Sequence, residues 1–168
     1  GLQGGVLQMF NHGINIIGLF LAADIIERRI KTRELNAMGG LAESGRGFAF
    51  LFMVIMLGSV AVPLTNGFTG ELLLLNATFN YQAVIGVVAG LTVIFCAVYM
   101  MRVYQLAMFG TAVNSENKIG RLTWSEYTAL GIIVFIVLLT GIFPNLILDI
   151  SKSSVSSLLT LLTGNISQ

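Results

Sequence analysis

The sequence predicts an all-α protein of the polytopic membrane class. Only 10% of its 168 residues are charged, 55% are hydrophobic, and the mean hydropathy is +0.86. A soluble domain carries about 25% charged residues, so this chain lacks the charge to cover a water-facing surface. Its apolar runs are continuous rather than alternating, which favours membrane helices over a β-barrel. The net charge of +1 excludes a broad nucleic-acid surface.

Four apolar segments are each long enough to cross a membrane, because a helical span needs about 20 residues. The predicted spans are residues 2–23, 47–75, 82–101 and 127–148, within one membrane domain over residues 1–150. The first is closed by Asp24, the third by Arg102, and the fourth ends near Pro144 and Asp149.

The two ends of the chain carry separate expectations. Residues 151–168 are rich in serine and leucine, so we expect a polar C-terminal tail that frays or lies as a short amphipathic helix at the interface. The chain begins inside an apolar span, at Gly1 and without a basic leader, so we interpret it as the C-terminal piece of a longer protein.

The basic residues predict the orientation of these spans. The loops after the first and third spans together hold eight of the nine Lys and Arg residues, and the opposite side holds only Lys152. The positive-inside rule therefore places both long loops in the cytoplasm, or the matrix of an organelle, and the C-terminus outside.

The second predicted span contains the most informative residue of the chain. Glu71 is the only Asp, Glu, Lys, Arg or His between Phe48 and Tyr99, and it follows an interruption from Pro63 to Gly67. Pro63 lacks an amide hydrogen, and irregular backbone at membrane depth is tolerated only within protein or beside a hydrated cavity. We expect the helix to restart after the interruption, with Glu71 in or near its first turn.

The buried carboxylate has a functional and a structural interpretation. A charge at membrane depth costs about 2.5–3.5 kcal/mol on insertion scales, and such residues are usually functional. Burial favours the neutral acid while a helix dipole favours the anion, which is the balance a reversible proton site requires. The structural alternative is a carboxylate that caps the broken helix. We favour the proton site.

Other polar groups lie in the same two spans. His12 is an imidazole near the middle of the first span, and its two ring nitrogens could pass a proton as a relay does, although a hydrogen-bonded interior histidine is the alternative. Asn11, Asn15, Thr65, Asn66, Thr69 and, in the third span, Thr92 could hold water, and Asn11, Thr65, Asn66 and Thr69 could line a hydrated path. We favour simple hydrogen bonds between helices for all six. One histidine, one glutamate and the single cysteine, Cys96, do not make a metal site or a disulfide framework.

Several motifs give the chain a family resemblance. The segments Gly4–Gly13, with the sequence GGVLQMFNHG, and Gly58–Pro63 followed by Asn66–Glu71 resemble the antiporter-like, proton-pumping subunits of respiratory complex I. The Lys31–Glu34 stretch leading to Met38–Leu41 does so too. Glu71 favours the M-type branch of that family, because the L- and N-type branches usually carry lysine at this position.

The resemblance implies a fold, a function and partners. It implies a fold of fourteen helices with inverted repeats, of which this chain supplies the last four, with Glu71 ending the proton path and His12 as the relay. It implies L- and N-type subunits and the lipid bilayer as partners. NADH, FMN, iron–sulfur clusters and quinone belong to other subunits of that complex, and no cofactor or redox chemistry is expected in this chain. A bacterial inner membrane is the expected location, with the mitochondrial inner membrane as the alternative.

Two other functions remain open. A cation/proton antiporter or a membrane-bound hydrogenase subunit shares the same helix pattern. A purely structural piece of a membrane arm is the third possibility, and it predicts that the charge of Glu71 is dispensable.

Overall fold

The chain folds into a bundle of helices, described by a computed structural model over residues 1–111 and 118–164. Within these ranges it forms seven α-helices and one 3-10 turn at Leu35–Ala37. The helices are α1 (Leu2–Ile30), α2 (Leu41–Ser44), α3 (Arg46–Ser59), α4 (Asn66–Tyr81), α5 (Ala83–Met108), α6 (Trp124–Ile142) and α7 (Asn145–Gly164). The prediction of an all-helical chain is confirmed for these residues.

Three helices in the described part of the chain, α1, α5 and α6, are long and apolar enough to cross a membrane. The predicted second span is divided between α3, with 14 residues, and α4, with 16. Neither half reaches the length of a membrane span by itself. The predicted interruption is present, but it occupies residues 60–65, so that Gly67 lies inside α4 rather than in the break.

Helix α1 is the central element of the bundle, in contact with α3, α4, α6 and α7. Its buried positions recur every three or four residues along one face, as in Gly4, Leu7, Asn11, Asn15 and Gly18. Two glycines allow the close approach of α1 and α4: a Cβ on Gly4 would lie 2.7 Å from Cβ of Leu73, and one on Gly70 would lie 3.2 Å from Cα of Gln8. Small residues at such crossings are typical of membrane helices.

Helices α6 and α7 differ from the predicted fourth span. Thr123 and Glu126 form a reciprocal capping box at the start of α6, which explains why this helix begins at Trp124. It ends at Ile142, and residues 145–148, which we assigned to the fourth span, belong to α7. Pro144 cannot continue a helix, so the new helix starts directly after it. Residues 165–168 of the predicted tail lie outside the described residues.

The hydrophobic core lies at the end of the bundle that contains α3. Phe48 and Ile55 of α3, Met108 of α5 and Leu130 of α6 are buried there. The two long loops meet at the same end, where the amide of Ile119 donates to the Ser44 hydroxyl at 3.0 Å. Arg29, at the end of α1, bonds there to Glu126 of α6 and to the backbone oxygens of Ile119 and Arg121. This dense end anchors the helices, while the opposite end holds the interruption and Glu71.

Candidate functional site

The interruption between α3 and α4 is a strained turn. Ala61 and Leu64 adopt left-handed backbone conformations, with φ of 57° and 75°. Such conformations cost a non-glycine residue about 1–3 kcal/mol and persist only where the surroundings impose them. Strain of this kind concentrates at functional sites and switches.

Local hydrogen bonds satisfy the backbone of the turn. The amide of Val62 donates to the Leu57 oxygen at 3.2 Å, and the amide of Thr65 donates to the Val62 oxygen at 3.0 Å. The Thr65 hydroxyl donates to the same Val62 oxygen at 2.6 Å. Thr65 is buried and is the residue that precedes α4, so its side chain closes the turn. These bonds allow irregular backbone to exist among apolar helices.

Two glycines allow the backbone of the turn to pack closely against α3 and α6. A Cβ on Gly67 would lie 2.4 Å from the backbone oxygen of Gly58, and one on Gly141 of α6 would lie 2.4 Å from that of Leu64. Both contacts are with backbone, which cannot move aside as a flexible side chain would. Close packing by α3 and α6 therefore defines the position of the turn. Pro63, the predicted cause of the break, lies exposed within it.

Asn11 and Asn66 connect the turn to α1. The Asn11 side-chain amide donates to the backbone oxygen of Asn66 at 2.6 Å, and the Asn66 amide donates to the backbone oxygen of Asn11 at 3.3 Å. Both side chains are fully buried. The expected interhelical hydrogen bonding is thus present for this pair, and Thr69 is partly buried one turn further along α4.

Glu71 lies at the start of the second turn of α4, near the first turn but not in it. It is six residues after Thr65, about 9 Å along the helix axis, and the first turn of α4 contains no acidic residue. The dipole effect fades beyond the first turn, so it contributes little here. A direct contact takes its place: Nε2 of Gln8 donates to Oε1 of Glu71 at 3.1 Å. The carboxylate is partly buried against α1.

His12 lies on the same side of α1 as Gln8, one helical turn away. Its side chain is exposed in this chain, and the adjoining Gly13 has open space where a Cβ would stand. The structure thus places Gln8 beside both predicted proton-path residues, with one direct bond to Glu71.

Four buried oxygens around the break have no hydrogen-bond partner among the residues that the structure describes. They are the side-chain oxygens of Gln8, Asn11, Asn15 and Asn66. Residues 8, 11 and 15 share one face of α1, and the oxygens of Asn15 and Asn66 would lie 2.9 and 3.1 Å from a Cβ on Gly58. Buried acceptors normally have a donor, often an ordered water. The stripe therefore offers acceptors to water or to a proton carrier along about 10 Å of α1.

Sequence reasoning missed Gln8 as a site residue and named Asn15 only among the polar groups that could hold water. The signal was present, since amides at i, i+3 and i+7 of an apolar helix define a polar stripe. Within residues 1–111 and 118–164, no three His, Cys, Asp or Glu side chains cluster as a metal site would require.

The fold and the site define a polytopic helical membrane protein with an interrupted core helix and a carboxylate beside the interruption. The sequence model of the family described as NADH:quinone oxidoreductase/Mrp antiporter, TM, matches residues 1–97. The chain belongs to this family.

Comparison with individual proteins agrees with the family. The chain is 34% identical over 160 residues to NADH-quinone oxidoreductase subunit M of Rickettsia prowazekii, covering 95% of this chain and 33% of that protein. It is 29% identical over 158 residues to the Escherichia coli K12 protein of the same name, covering 93% and 31%. This chain therefore spans about a third of the length of these relatives.

A solved structure shares the fold. The Mrp complex from Dietzia sp. DQ12-45-1b matches with a TM-score of 0.80 at 20% identity, over 90% of this chain and 36% of the matched chain. At this identity the likeness concerns the fold alone.

Proposed function

We propose that this chain is part of a proton-translocating membrane-arm subunit of NADH:quinone oxidoreductase, with Glu71 as the terminal proton site. The carrying observation is the contact of Glu71 with Gln8 beside a strained helix break, in a chain whose relatives are named subunit M. A carboxylate held by one neutral amide, with no cation bonded to it in the described residues, has no fixed counter-charge that would keep it ionised. It can gain and lose a proton.

The proposed mechanism is electrostatic. A charge change on residues elsewhere in the full-length protein alters the free energy of protonating Glu71. Glu71 then exchanges a proton with the outer side, and His12 relays protons to it from the face of α1 that is exposed in this chain. The polar stripe on α1, with Asn66, Thr65 and Thr69 beside the break, supplies acceptors that can hold water near the carboxylate.

The architecture of the whole protein follows from the same proposal. Helices α3 and α4 together make one broken crossing, which gives four crossings in residues 1–150, the last part of a fourteen-helix fold with inverted repeats. Residues 151–168 then form the C-terminal tail, most of which lies in α7. The long loops are cytoplasmic and the C-terminus periplasmic, in a bacterial inner membrane.

The remaining chemistry belongs to other subunits. We propose that NADH, FMN, iron–sulfur clusters and quinone are bound elsewhere in the complex and that this chain performs no redox step. Its partners are the neighbouring L- and N-type membrane-arm subunits and the lipid around them. The exposed face of α5 is available for such contacts.

The proposal is tested by Glu71→Gln in the intact complex, which keeps the shape of the side chain and removes its charge. Proton pumping should fall to a small fraction of the original, and coupled NADH oxidation should fall with it. Glu71→Asp should keep part of the activity, and Glu34→Gln, on an exposed loop, should keep all of it. Normal pumping and turnover with Glu71→Gln would falsify the proposal and support a purely structural role.

A cation/proton antiporter subunit is the second candidate, favoured by the match to the fold of the Mrp complex. Purification of the full-length protein distinguishes the two. A complex I subunit should copurify with NADH-oxidising activity, whereas an antiporter or a membrane-bound hydrogenase subunit should lack it.

A further inference from the structure

Gln8 makes the one side-chain hydrogen bond to Glu71 in the described residues, and it has a second polar atom that is unused. Its Nε2 donates to Oε1 of Glu71 at 3.1 Å, from a different helix and 63 residues away in sequence. Its Oε1 is buried and has no hydrogen-bond partner within residues 1–111 and 118–164. A glutamine amide therefore stands against the carboxylate with its donor engaged and its acceptor free.

We propose that Gln8 is a positioning residue whose amide holds Glu71 in both protonation states. Nε2 donates to the ionised carboxylate, and after a half-turn of the amide Oε1 accepts from the protonated acid. This inference rests on the proposed function, since it assumes that Glu71 changes its protonation state during turnover.

The chemistry of the amide makes this exchange possible. The amide carries an acceptor oxygen and a donor nitrogen at equivalent positions, related by rotation about one bond. The proton arrives on a carboxylate oxygen from the path and forms an O–H bond there. The two amide hydrogens stay on Nε2 throughout, so Gln8 transfers no proton itself. A lysine or arginine here could only donate, and it would hold Glu71 in the ionised state.

Gly70 provides the space for this rotation. A Cβ on residue 70 would lie 2.4 Å from Oε1 of Gln8, so any other residue at this position would occupy the place of the free oxygen. Because Gly70 has no side chain, only its backbone faces the Gln8 amide, and either Oε1 or Nε2 fits beside it. The absence of a side chain at Gly70 thus leaves the Gln8 amide free to rotate.

Gln8 also lies next to the proposed relay. His12 is one turn further along α1, about 6 Å along the axis, on the same side of the helix. Rotation of the amide therefore takes place between the two groups that exchange the proton. On α4, Glu71 is the only ionisable group before Tyr81, so no second charge on that helix accounts for the position of the amide.

The test compares two substitutions in the intact complex. Gln8→Met keeps the volume and removes both polar atoms, while Gln8→Glu restores an acceptor and, when protonated, a donor. Gln8→Met should lower proton pumping about tenfold, as expected for the loss of one hydrogen bond needed in turnover. Gln8→Glu should recover part of it. Gln3→Met, on the same helix, should leave pumping unchanged.

A spectroscopic measurement separates this inference from the proposed function. The carbonyl stretch of protonated Glu71 is recorded by infrared difference spectroscopy between low and high pH, which requires no turnover, and is assigned through its loss in Glu71→Gln. Gln8→Met should shift this band to the frequency of an acid without a hydrogen bond. If Glu71→Gln still pumps, the proposed function fails, but the band continues to report whether Gln8 holds the carboxyl group.

Two results overturn the inference. One is an unshifted band together with normal pumping in Gln8→Met. The other is lowered pumping in Gln8→Met with an unshifted band, which shows that Gln8 acts through something other than its hydrogen bond to Glu71. If Gln8→Met does not assemble, Gly70→Ala keeps both polar residues and fills the space of the amide. It should shift the same band, and an unshifted band contradicts the proposal.

Discussion

Asn11 of α1 and Asn66 of α4 form a reciprocal pair, in which each side-chain amide donates to the backbone oxygen of the other residue. The pair fixes the first residue of α4 to the middle of α1. Gln8, one turn before Asn11, is thereby brought to Glu71. The position of the carboxylate thus depends on a contact between two helices that are distant in sequence, since Asn11 and Asn66 are 55 residues apart.

Replacing either asparagine should destabilise the fold, and Asn11→Ala should cost more. Asn11 donates the 2.6 Å bond, and its loss leaves the Asn66 backbone oxygen buried without that donor, at a cost of about 1–3 kcal/mol. Asn66→Ala removes the longer, 3.3 Å bond and should cost about 1 kcal/mol. Thermal unfolding of the full-length protein in detergent measures both.

Asn80→Ala is the matched control for the asparagine pair. Asn80 also donates from a side-chain amide on α4, but to Asn76 on an exposed surface. Its loss should change stability little. Equal effects of all three substitutions would contradict the assignment of the buried pair.

Gly67→Ala should disrupt the helix break. The added methyl carbon would lie 2.4 Å from the backbone oxygen of Gly58, so the strained turn must shift, at a cost of about 3 kcal/mol. The variant should unfold at a lower temperature and lose the infrared band of Glu71 at its original position, because α4 moves with the turn.

Gly90→Ala provides the comparison for Gly67→Ala. Gly90 lies within α5, and a Cβ there meets no atom within 4 Å in the described residues. Alanine is the better helix former by about 0.8–1.0 kcal/mol, so this substitution should not destabilise the chain. Similar losses for both glycines would show that the break has no special packing requirement.

Arg29→Ala should weaken the attachment of the last turn of α1 to the first turn of α6 and the loop before it. Arg29 and Glu126 are an ion pair with side chains only 19% and 15% exposed, and Arg29 also donates to the Arg121 backbone oxygen at 3.0 Å. We expect a loss of about 2 kcal/mol, typical of hydrogen bonds to charged groups that are partly buried. A double-mutant cycle with Glu126→Ala isolates the coupling between the two side chains.

The neighbouring Arg28 is the control for Arg29. It pairs with Asp24 on the same helix, and the two side chains are 63% and 49% exposed. Exposed pairs contribute little to stability, so Arg28→Ala should leave the unfolding temperature nearly unchanged. A coupling of zero between Arg29 and Glu126 would show that the loops are held together by other contacts.

Much of the fold could be predicted because it depends on local properties of the sequence. Continuous apolar runs predict helices of membrane length, and Pro63 among them predicts a break. The residues at which the helices begin and end were less predictable. Helix α6 ends at Ile142, just before Pro144, rather than near residue 148. Helix α4 begins at Asn66, because backbone packing at Gly67 and Gly141 determines where the turn lies.

The candidate site was only partly predictable. Glu71 could be identified from the sequence alone, because it is the single carboxylate in a long apolar run. Gln8 could not be identified as its partner, because an amide in a membrane helix has many possible neighbours and the sequence does not specify which one it meets. We expected the dipole of the restarted helix to stabilise the ionised form of Glu71. This effect is smaller than expected, because α4 begins at Asn66 and Glu71 lies in its second turn.

By itself, the sequence determined the membrane class, the helical architecture, the family resemblance and the isolated charge of Glu71. These follow from composition, periodicity and motif, which are properties of neighbouring residues along the chain. Only the tertiary structure decided that Asn11 secures the break, that Gln8 meets Glu71 and that Gly70 leaves space between them. The physical reason is that these contacts depend on how α1 and α4 cross, and a crossing is set by the packing of both helices together.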